Sequence, residues 1–170
     1  MKNIIRWPIV LLLLSACSGS LPVQPVENFE LNRYLGKWYE IARLDHFFEK
    51  GLGQVTANYS LRKDGGIRVV NRGYSVKQKT WSQAEGKAYF RSSPEIGLLK
   101  VSFFGPLYSA YIIFGLDPDY QYAYVAGPDH DYLWLLSRTP TVTESVYNDF
   151  VKTAKEQGFD VSSLIQVQHQ

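Results

Sequence analysis

The sequence predicts an all-β protein with eight antiparallel strands and one C-terminal α-helix. Short β-rich runs fill residues 36–138, separated by Gly, Pro and Asp turn signals such as those at 64–66, 105–106 and 117–119. Aromatic residues make up 15% of the chain, and strands favour such residues. Strands at this spacing are typical of a β-sandwich or an up-and-down barrel.

The predicted strands alternate apolar and polar side chains, as antiparallel sheets with one buried face do. In the second strand Val55, Ala57 and Tyr59 share one face, opposite polar neighbours. The fourth strand has small residues on its apolar face, which leaves room either for a cavity or for a large neighbouring side chain. The predicted strands cover residues 37–45, 53–62, 67–77, 80–91, 98–104, 109–117, 121–127 and 132–138.

One amphipathic helix follows the strands. Thr141 and Glu144 stand at capping-box spacing at its start, and Gly158 suits its C-terminal end. Its apolar stripe predicts packing on the outside of the sheet. That stripe consists of Val146, Phe150, Val151 and Ala154. Residues 161–167 predict a short terminal strand.

The N-terminus has the pattern of a secretory signal with a lipid anchor. Lys2 and Arg6 precede an apolar run at 9–14, which is too short to span a membrane. Residues 14–17, with the sequence LSAC, resemble the lipobox of bacterial lipoproteins. In that family the cysteine sulfur takes a diacylglycerol, the signal is cut just before the cysteine, and the new amine is acylated. Ser18 implies release to the outer membrane. Two or more acyl chains give stable anchoring.

These observations divide the chain into three parts. Residues 1–16 are predicted to be the signal peptide, residues 17–28 the acylated cysteine and a linker, and residues 29–170 one barrel domain. Residues 1–16 hold two of the 18 basic residues and no acidic one, so the remainder carries 16 of each sign. This balance provides no electrostatic footprint for nucleic acid. Cys17 is the single cysteine, so the domain has no internal disulfide.

Three further motifs resemble the signatures of the lipocalin family. They are LGKWYEIAR at 35–43, DPDY at 117–120 and LLSRTP at 135–140. With the lipobox, the resemblance is to bacterial outer-membrane lipoprotein lipocalins. It implies an eight-stranded antiparallel up-and-down barrel with one C-terminal α-helix, anchored in the outer membrane and facing the periplasm. It also implies that Trp38 plugs one end of the barrel and that Arg138 lies across its ring, a cation–π contact.

Strand alternation from these two residues predicts an apolar interior with aromatic walls. Tyr108 and Tyr111, close to the turn at 105–106, are expected to flank its mouth. The full set of expected ligand-lining residues is Leu44, Val55, Ala57, Tyr59, Phe90, Val101, Phe103, Tyr108, Tyr111, Trp134 and Leu136.

The favoured function is binding of a hydrophobic ligand, for storage, transport or maintenance of membrane lipid. The family and the compartment indicate a long-chain fatty acid or a lysophospholipid, with Arg43, Lys50 or Lys100 as candidate partners of its head. One alternative is an envelope interaction protein whose barrel is filled by its own side chains and whose aromatic mouth forms a homodimer. Another is a lipid-modifying enzyme.

The sequence offers no catalytic constellation. Cys17 lies outside the predicted barrel, and the three histidines, His46, His130 and His169, fall in a loop, a turn and the tail. The run DHD at 129–131 lies in a Gly-Pro turn and lacks zinc-site spacing. We therefore expect no metal, no cofactor and no enzymatic activity.

Overall fold

The computed structural model describes residues 20–169, which form a nine-stranded sheet and two α-helices. The strands are β1 (Gly36–Leu44), β2 (Leu52–Leu61), β3 (Ile67–Ser75), β4 (Thr80–Phe90), β5 (Leu98–Ser102), β6 (Ser109–Leu116), β7 (Tyr122–Ala126), β8 (Leu133–Ser137) and β9 (Leu164–Gln166). The helices are α1 (Leu31–Tyr34) and α2 (Glu144–Glu156), and a 3₁₀ turn covers Val161–Ser163.

The sheet closes on itself as an eight-stranded barrel. Each strand from β2 to β7 pairs antiparallel with the next, β8 pairs with β1, and β1 pairs with β2. The short β9 lies outside this ring, against the second half of β1. The predicted all-β class, the up-and-down barrel and the helix that follows it are confirmed.

The connections between strands gather at two ends of the barrel. At the end where β1 begins, here called the closed end, lie the connections at 62–66, 91–97 and 117–121. At the opposite end, here called the open end, lie those at 45–51, 76–79, 103–108 and 127–132.

Two apolar cores stabilise the molecule. One lies inside the barrel towards the closed end. The other lies between the outer wall of the barrel and α2, where Phe150 and Ala154 are buried. The helix begins after Thr143, whose Oγ1 accepts from the Val146 amide at 3.4 Å. The predicted cap at Thr141 is wrong, because the helix starts at Glu144 and Thr143 is the residue that directly precedes it. Within residues 20–169, no helix has the length and apolar character needed to cross a membrane.

The described residues before the barrel pack against it, whereas the sequence predicts a linker at 17–28. Val23 is buried beside α2, and the Val26 amide donates to the Ile113 carbonyl at 2.8 Å. Phe29 is buried in the closed end. Burial of these apolar side chains favours a packed segment over an extended spacer. Cys17 and the predicted signal peptide lie outside the described residues.

Candidate functional site

The closed end is built around Trp38 and Arg138. Trp38 is fully buried, and its indole Nε1 donates to the Tyr34 carbonyl at 2.7 Å. The guanidinium carbon of Arg138 lies 3.9 Å from the centre of the Trp38 ring. Arg138 also donates to the carbonyl oxygens of Arg33, Lys37 and Tyr120, at 2.6, 3.0 and 3.2 Å. Both side chains therefore occupy the positions that the sequence motifs imply.

The other motif residues surround this pair. Gly36 has φ +95°, and a Cβ there would lie 3.5 Å from Arg138 Nη1. Tyr120, from the DPDY motif, accepts at its hydroxyl from the Glu30 amide at 2.9 Å. The Arg33 guanidinium stacks over the Tyr120 ring at 4.2 Å. The three motifs thus meet at one end of the barrel, which they close.

A cavity of about 620 Å³ lies between this floor and the open end. Its wall is mainly apolar and aromatic, and the volume is within the range of small-molecule sites. The structure places nine of the eleven expected lining residues around it. They are Val55, Ala57, Tyr59, Val101, Phe103, Tyr108, Tyr111, Trp134 and Leu136.

Leu44 and Phe90 lie elsewhere. Strict alternation from Trp38 would point Leu44 inward, but a β-bulge between Glu40 and Ala42 reverses the facing of the rest of β1. Leu44 consequently packs in the outer core beside α2. Phe90 packs against Phe29 at the closed end, 6.1 Å between ring centres, outside the cavity wall.

Tyr111 lies deep in the cavity and not at its mouth. Its hydroxyl is 2.7 Å from that of Tyr34 and 2.8 Å from that of Tyr59. Burial raises the pKa of all three phenols, so they stay protonated at neutral pH. The floor of the cavity therefore presents neutral hydroxyl groups. Tyr108 is partly exposed in the open-end loop, as expected.

The small residues of β4 have two different roles. Ala84 and Ala88 lie around the cavity and leave it space. Gly86 instead allows close packing, because a Cβ there would meet the Ser102 carbonyl oxygen at 2.7 Å and the Phe103 ring at 2.8 Å. The sequence analysis offered a cavity or close packing as the reason for these small residues. The cavity explains Ala84 and Ala88, and close packing explains Gly86.

A buried polar cluster, which the sequence analysis missed, lies beside the open end. The Arg43 Nη1 donates to Glu40 Oε1 at 2.7 Å, and both side chains are almost fully buried. Glu49 Oε2 accepts from the Trp134 indole at 3.1 Å and lies 3.2 Å from His46 Nε2. The bulge in β1 turns the Arg43 side chain towards the inside of the barrel. Strict alternation from Trp38 places Arg43 on the outer face, which is why the sequence analysis did not find this cluster.

Burial shifts the ionisation of this cluster. It raises the pKa of Glu40 to about 8, with a further increase from the adjacent Glu49 carboxylate and an opposing effect of Arg43. Burial also raises the pKa of Glu49. It lowers the pKa of His46 to about 4, and the charge of Arg43 acts in the same direction. The His46 ring is therefore neutral at neutral pH.

The expected headgroup cations do not line the cavity. Arg43 is held by Glu40 and by two carbonyl oxygens, those of Glu49 and Leu52, each at 3.0 Å. Lys50 and Lys100 are exposed and lie outside the cavity wall.

The rim of the open end carries large apolar side chains in solvent. Phe104 and Leu107 are 78% and 77% exposed, and Phe47 is 84% exposed. Val76 and Trp81 extend this surface along the connection between β3 and β4. Exposed apolar patches of this kind commonly mark interaction sites.

His130 and His169 each place Nε2 within hydrogen-bonding distance of a backbone carbonyl oxygen. The His130 Nε2 is 2.9 Å from the Gln157 carbonyl, which joins the turn at 127–132 to the end of α2. The His169 Nε2 is 2.7 Å from the Glu40 carbonyl. In the described part of the chain, no three His, Cys, Asp or Glu side chains are grouped as metal ligands would be.

Comparison with known proteins places this architecture in a family. The model of the lipocalin-like domain matches residues 29–169. The chain is 58% identical over 161 residues to the outer membrane lipoprotein Blc of Vibrio cholerae, which covers 93% of this chain and 94% of that protein. It is 54% identical over 159 residues to the outer membrane lipoprotein Blc of Escherichia coli K12, with coverage of 92% and 90%.

Solved structures agree on the fold. Insecticyanin of the tobacco hornworm Manduca sexta superposes with a TM-score of 0.71 at 22% identity, covering 87% of this chain and 85% of that one. The chain therefore belongs to the lipocalin family, among the bacterial outer membrane lipoproteins of that family.

Proposed function

We propose that this outer-membrane lipocalin binds a single-chain lipid, a long-chain fatty acid or a lysophospholipid, tail-first in its barrel. The observation that carries the proposal is the cavity of about 620 Å³, which is apolar along its wall and shut at one end. A tail can enter only from the open end, so the head of the lipid stays near the rim. The unfilled volume favours ligand binding over a barrel filled by its own side chains.

Burial of the tail gives a reasonable affinity. A sixteen-carbon chain has about 14 methylenes, which contribute roughly 11 kcal/mol at about 0.8 kcal/mol each. Association costs about 4–15 kcal/mol, so polar contacts at the head are needed to reach micromolar binding, about −8 kcal/mol. The protein acts by binding and not by catalysis in this proposal.

The proposed role is storage, transport or maintenance of lipid at the outer membrane. Acylation of Cys17 would hold the barrel at the membrane surface on the periplasmic side. Detection of an acylated N-terminal cysteine by mass spectrometry of the membrane-extracted protein tests this anchor. An unmodified Cys17 in that material would contradict it.

Lipid binding is tested by titrating delipidated protein with fatty acid and lysophospholipid while tryptophan fluorescence is followed, with Trp134→Ala to identify the contribution of Trp134. Ala57→Phe adds a ring at the cavity wall and is expected to lower the affinity at least about tenfold, equivalent to about 1.4 kcal/mol. Asn58→Phe adds the same ring on the exposed face of β2 and should leave binding unchanged. Absence of saturable binding in the folded wild-type protein would refute the proposal.

A homodimer through the rim is a second candidate, supported by the exposed Phe47, Phe104 and Leu107. Two copies that cover these side chains would remove a large apolar area from water. Sedimentation of the wild type and of Phe104→Ser with Leu107→Ser tests it. A monomeric wild type at high micromolar concentration would exclude this interface.

A further inference from the structure

Two buried carboxyl groups lie at the cavity wall beside one buried guanidinium. Glu40 and Glu49 both line the cavity and are only 3% and 6% exposed. In residues 20–169, the one guanidinium that reaches either carboxylate is that of Arg43. His46 adds no positive charge at neutral pH. Because burial raises the pKa of both carboxyl groups, one proton stays on the pair at neutral pH, and this proton and Arg43 together compensate the two groups.

The hydrogen bonds of the cluster leave Glu49 under-satisfied. Arg43 directs Nη1 to Glu40 and Nη2 to two backbone carbonyls, which keeps it away from the Glu49 carboxylate. Glu49 accepts from Trp134, and its other contact of this kind is with the carboxyl group of Glu40. The His46 ring is 94% buried, since 6% is exposed, and neither ring nitrogen has a hydrogen-bond partner in the described residues. Its Nε2 approaches Glu49 at 3.2 Å outside hydrogen-bonding geometry.

We infer that the cavity selects single-chain lipids whose head carries a positively charged ammonium group, which the carboxylates of Glu49 and Glu40 receive beside the open end. The inference rests on the proposed lipid-binding function and narrows its ligand class. A tail-first lipid brings its head to the level of the 45–51 connection, where Glu49 lies. One ammonium group can take the place of the proton that the two carboxyl groups hold when the cavity is empty.

The surrounding rings suit the same head. Trp134, Tyr132 and Phe48 line the cavity around this cluster, and the Tyr132 and Phe48 rings are nearly parallel with centres 6.2 Å apart. Aromatic faces attract ammonium groups through their electron density. A fatty-acid carboxylate at this level would instead lie beside two carboxylates, with Lys50 outside the wall.

Binding of an ammonium ligand at this site should release a proton, which can be measured. The raised pKa of Glu40 means that a proton occupies the carboxylate pair when the cavity is empty. A bound ammonium stabilises the ionised pair, so the proton leaves as the ligand enters. The charged groups facing Glu40 are Arg43 on its own strand and Glu49 in the next connection; His46 is neutral, and Tyr59 on β2 is protonated. Affinity for an ammonium lipid should therefore rise with pH up to about 8.

The test compares matched heads on identical tails with the full-length protein in detergent-free nanodiscs or in its soluble delipidated state. Dodecylammonium is compared with dodecanoate, and lysophosphatidylethanolamine with lysophosphatidylglycerol. We expect the ammonium partner of each pair to bind about tenfold more tightly at pH near 8, with net proton release in calorimetry. Equal affinity, or preference for the anion, would overturn the inference while leaving lipid binding intact. Failure of every lipid to bind would instead refute the proposed function, and the inference with it.

The substitution Glu49→Gln tests whether the buried polar cluster causes the preference for ammonium heads. Glu49→Gln keeps an acceptor for the Trp134 indole but removes the charge, and should reduce the preference for dodecylammonium to about twofold or less. Glu85→Gln, on the exposed outer face of β4, is the matched control and should retain the wild-type preference. An unchanged preference in folded Glu49→Gln would contradict the assignment.

Discussion

Arg138 is the side chain with the most consequences for the closed end. Its guanidinium satisfies three carbonyl oxygens from separate parts of the chain and covers the face of Trp38. A planar fork of donors can do this, whereas a lysine ammonium is a point charge on a flexible stem. The arginine of the LLSRTP motif is thus explained by geometry as well as by charge.

We predict that Arg138→Lys lowers the free energy of unfolding by about 2 kcal/mol, because at least one charge-assisted hydrogen bond to a carbonyl is lost. Urea unfolding followed by circular dichroism measures this. Arg62→Lys, at an exposed pair with Asp64, is the control and should have a clearly smaller effect, because solvent screens that pair. Equal effects of the two substitutions would mean that the carbonyl contacts of Arg138 contribute little.

At the scale of elements, the bulge in β1 explains what the sequence could and could not predict. The bounds of all eight barrel strands were predictable to within about two residues. The bulge between Glu40 and Ala42 has no Gly or Pro to signal it. It therefore reversed the expected facing of Leu44 and hid the inward turn of Arg43.

The chain's tail compensates for the ladder bonds that the bulge interrupts. The Val167 amide donates to the Ile41 carbonyl at 2.9 Å, and His169 contacts the Glu40 carbonyl. These partners are more than 120 residues away along the chain. Such long-range satisfaction of backbone groups has no local pattern, which is why the candidate site was only partly predictable.

The contact between β4 and β5 gives a prediction at the same scale. Gly86→Ala should destabilise the fold by about 1–3 kcal/mol, because its Cβ would meet the Ser102 carbonyl oxygen at 2.7 Å. Gly53→Ala in β2 meets its nearest atom, the Gln168 oxygen, at 4.0 Å and should be neutral or slightly stabilising. Thermal unfolding of both variants checks this, and a neutral Gly86→Ala would show that β5 can shift freely.

Over the whole molecule, the family motifs lie at the closed end and the proposed entrance for the ligand lies at the open end. The closed end holds Trp38 and Arg138, which the family motifs indicated in the sequence, together with neutral phenols and aromatic packing that the sequence did not indicate. The open end holds ionisable groups buried beside a cavity, together with an exposed apolar rim. Burial of ionisable groups costs stability, and its retention here is consistent with a role in binding.

This division predicts how stability depends on pH. Glu40 retains its proton in the folded state up to about pH 8 but loses it near 4.5 when unfolded. Its contribution is therefore fully present at low pH and is lost as pH rises through this window. His46 acts in the opposite direction between about 4 and 6.5, since the unfolded chain binds the proton there and the folded protein does not. The raised pKa of Glu49 has the same sign of effect as that of Glu40.

Above about pH 6.5, His46 is neutral in both the folded and the unfolded protein and no longer changes stability with pH. From about pH 6.5 to 8 the carboxylates act alone, and one proton corresponds to about 1.4 kcal/mol per pH unit. We therefore expect the free energy of unfolding to fall by roughly 2 kcal/mol over that interval in the empty protein, measured by urea titration at each pH. Glu40→Gln, which still accepts from Arg43, should flatten the profile. The carboxyls whose pKa is lowered, such as Asp64, change charge at lower pH and leave this window undisturbed. A profile that stays level or rises between pH 6.5 and 8 would mean that water reaches the carboxylate pair and keeps it ionised.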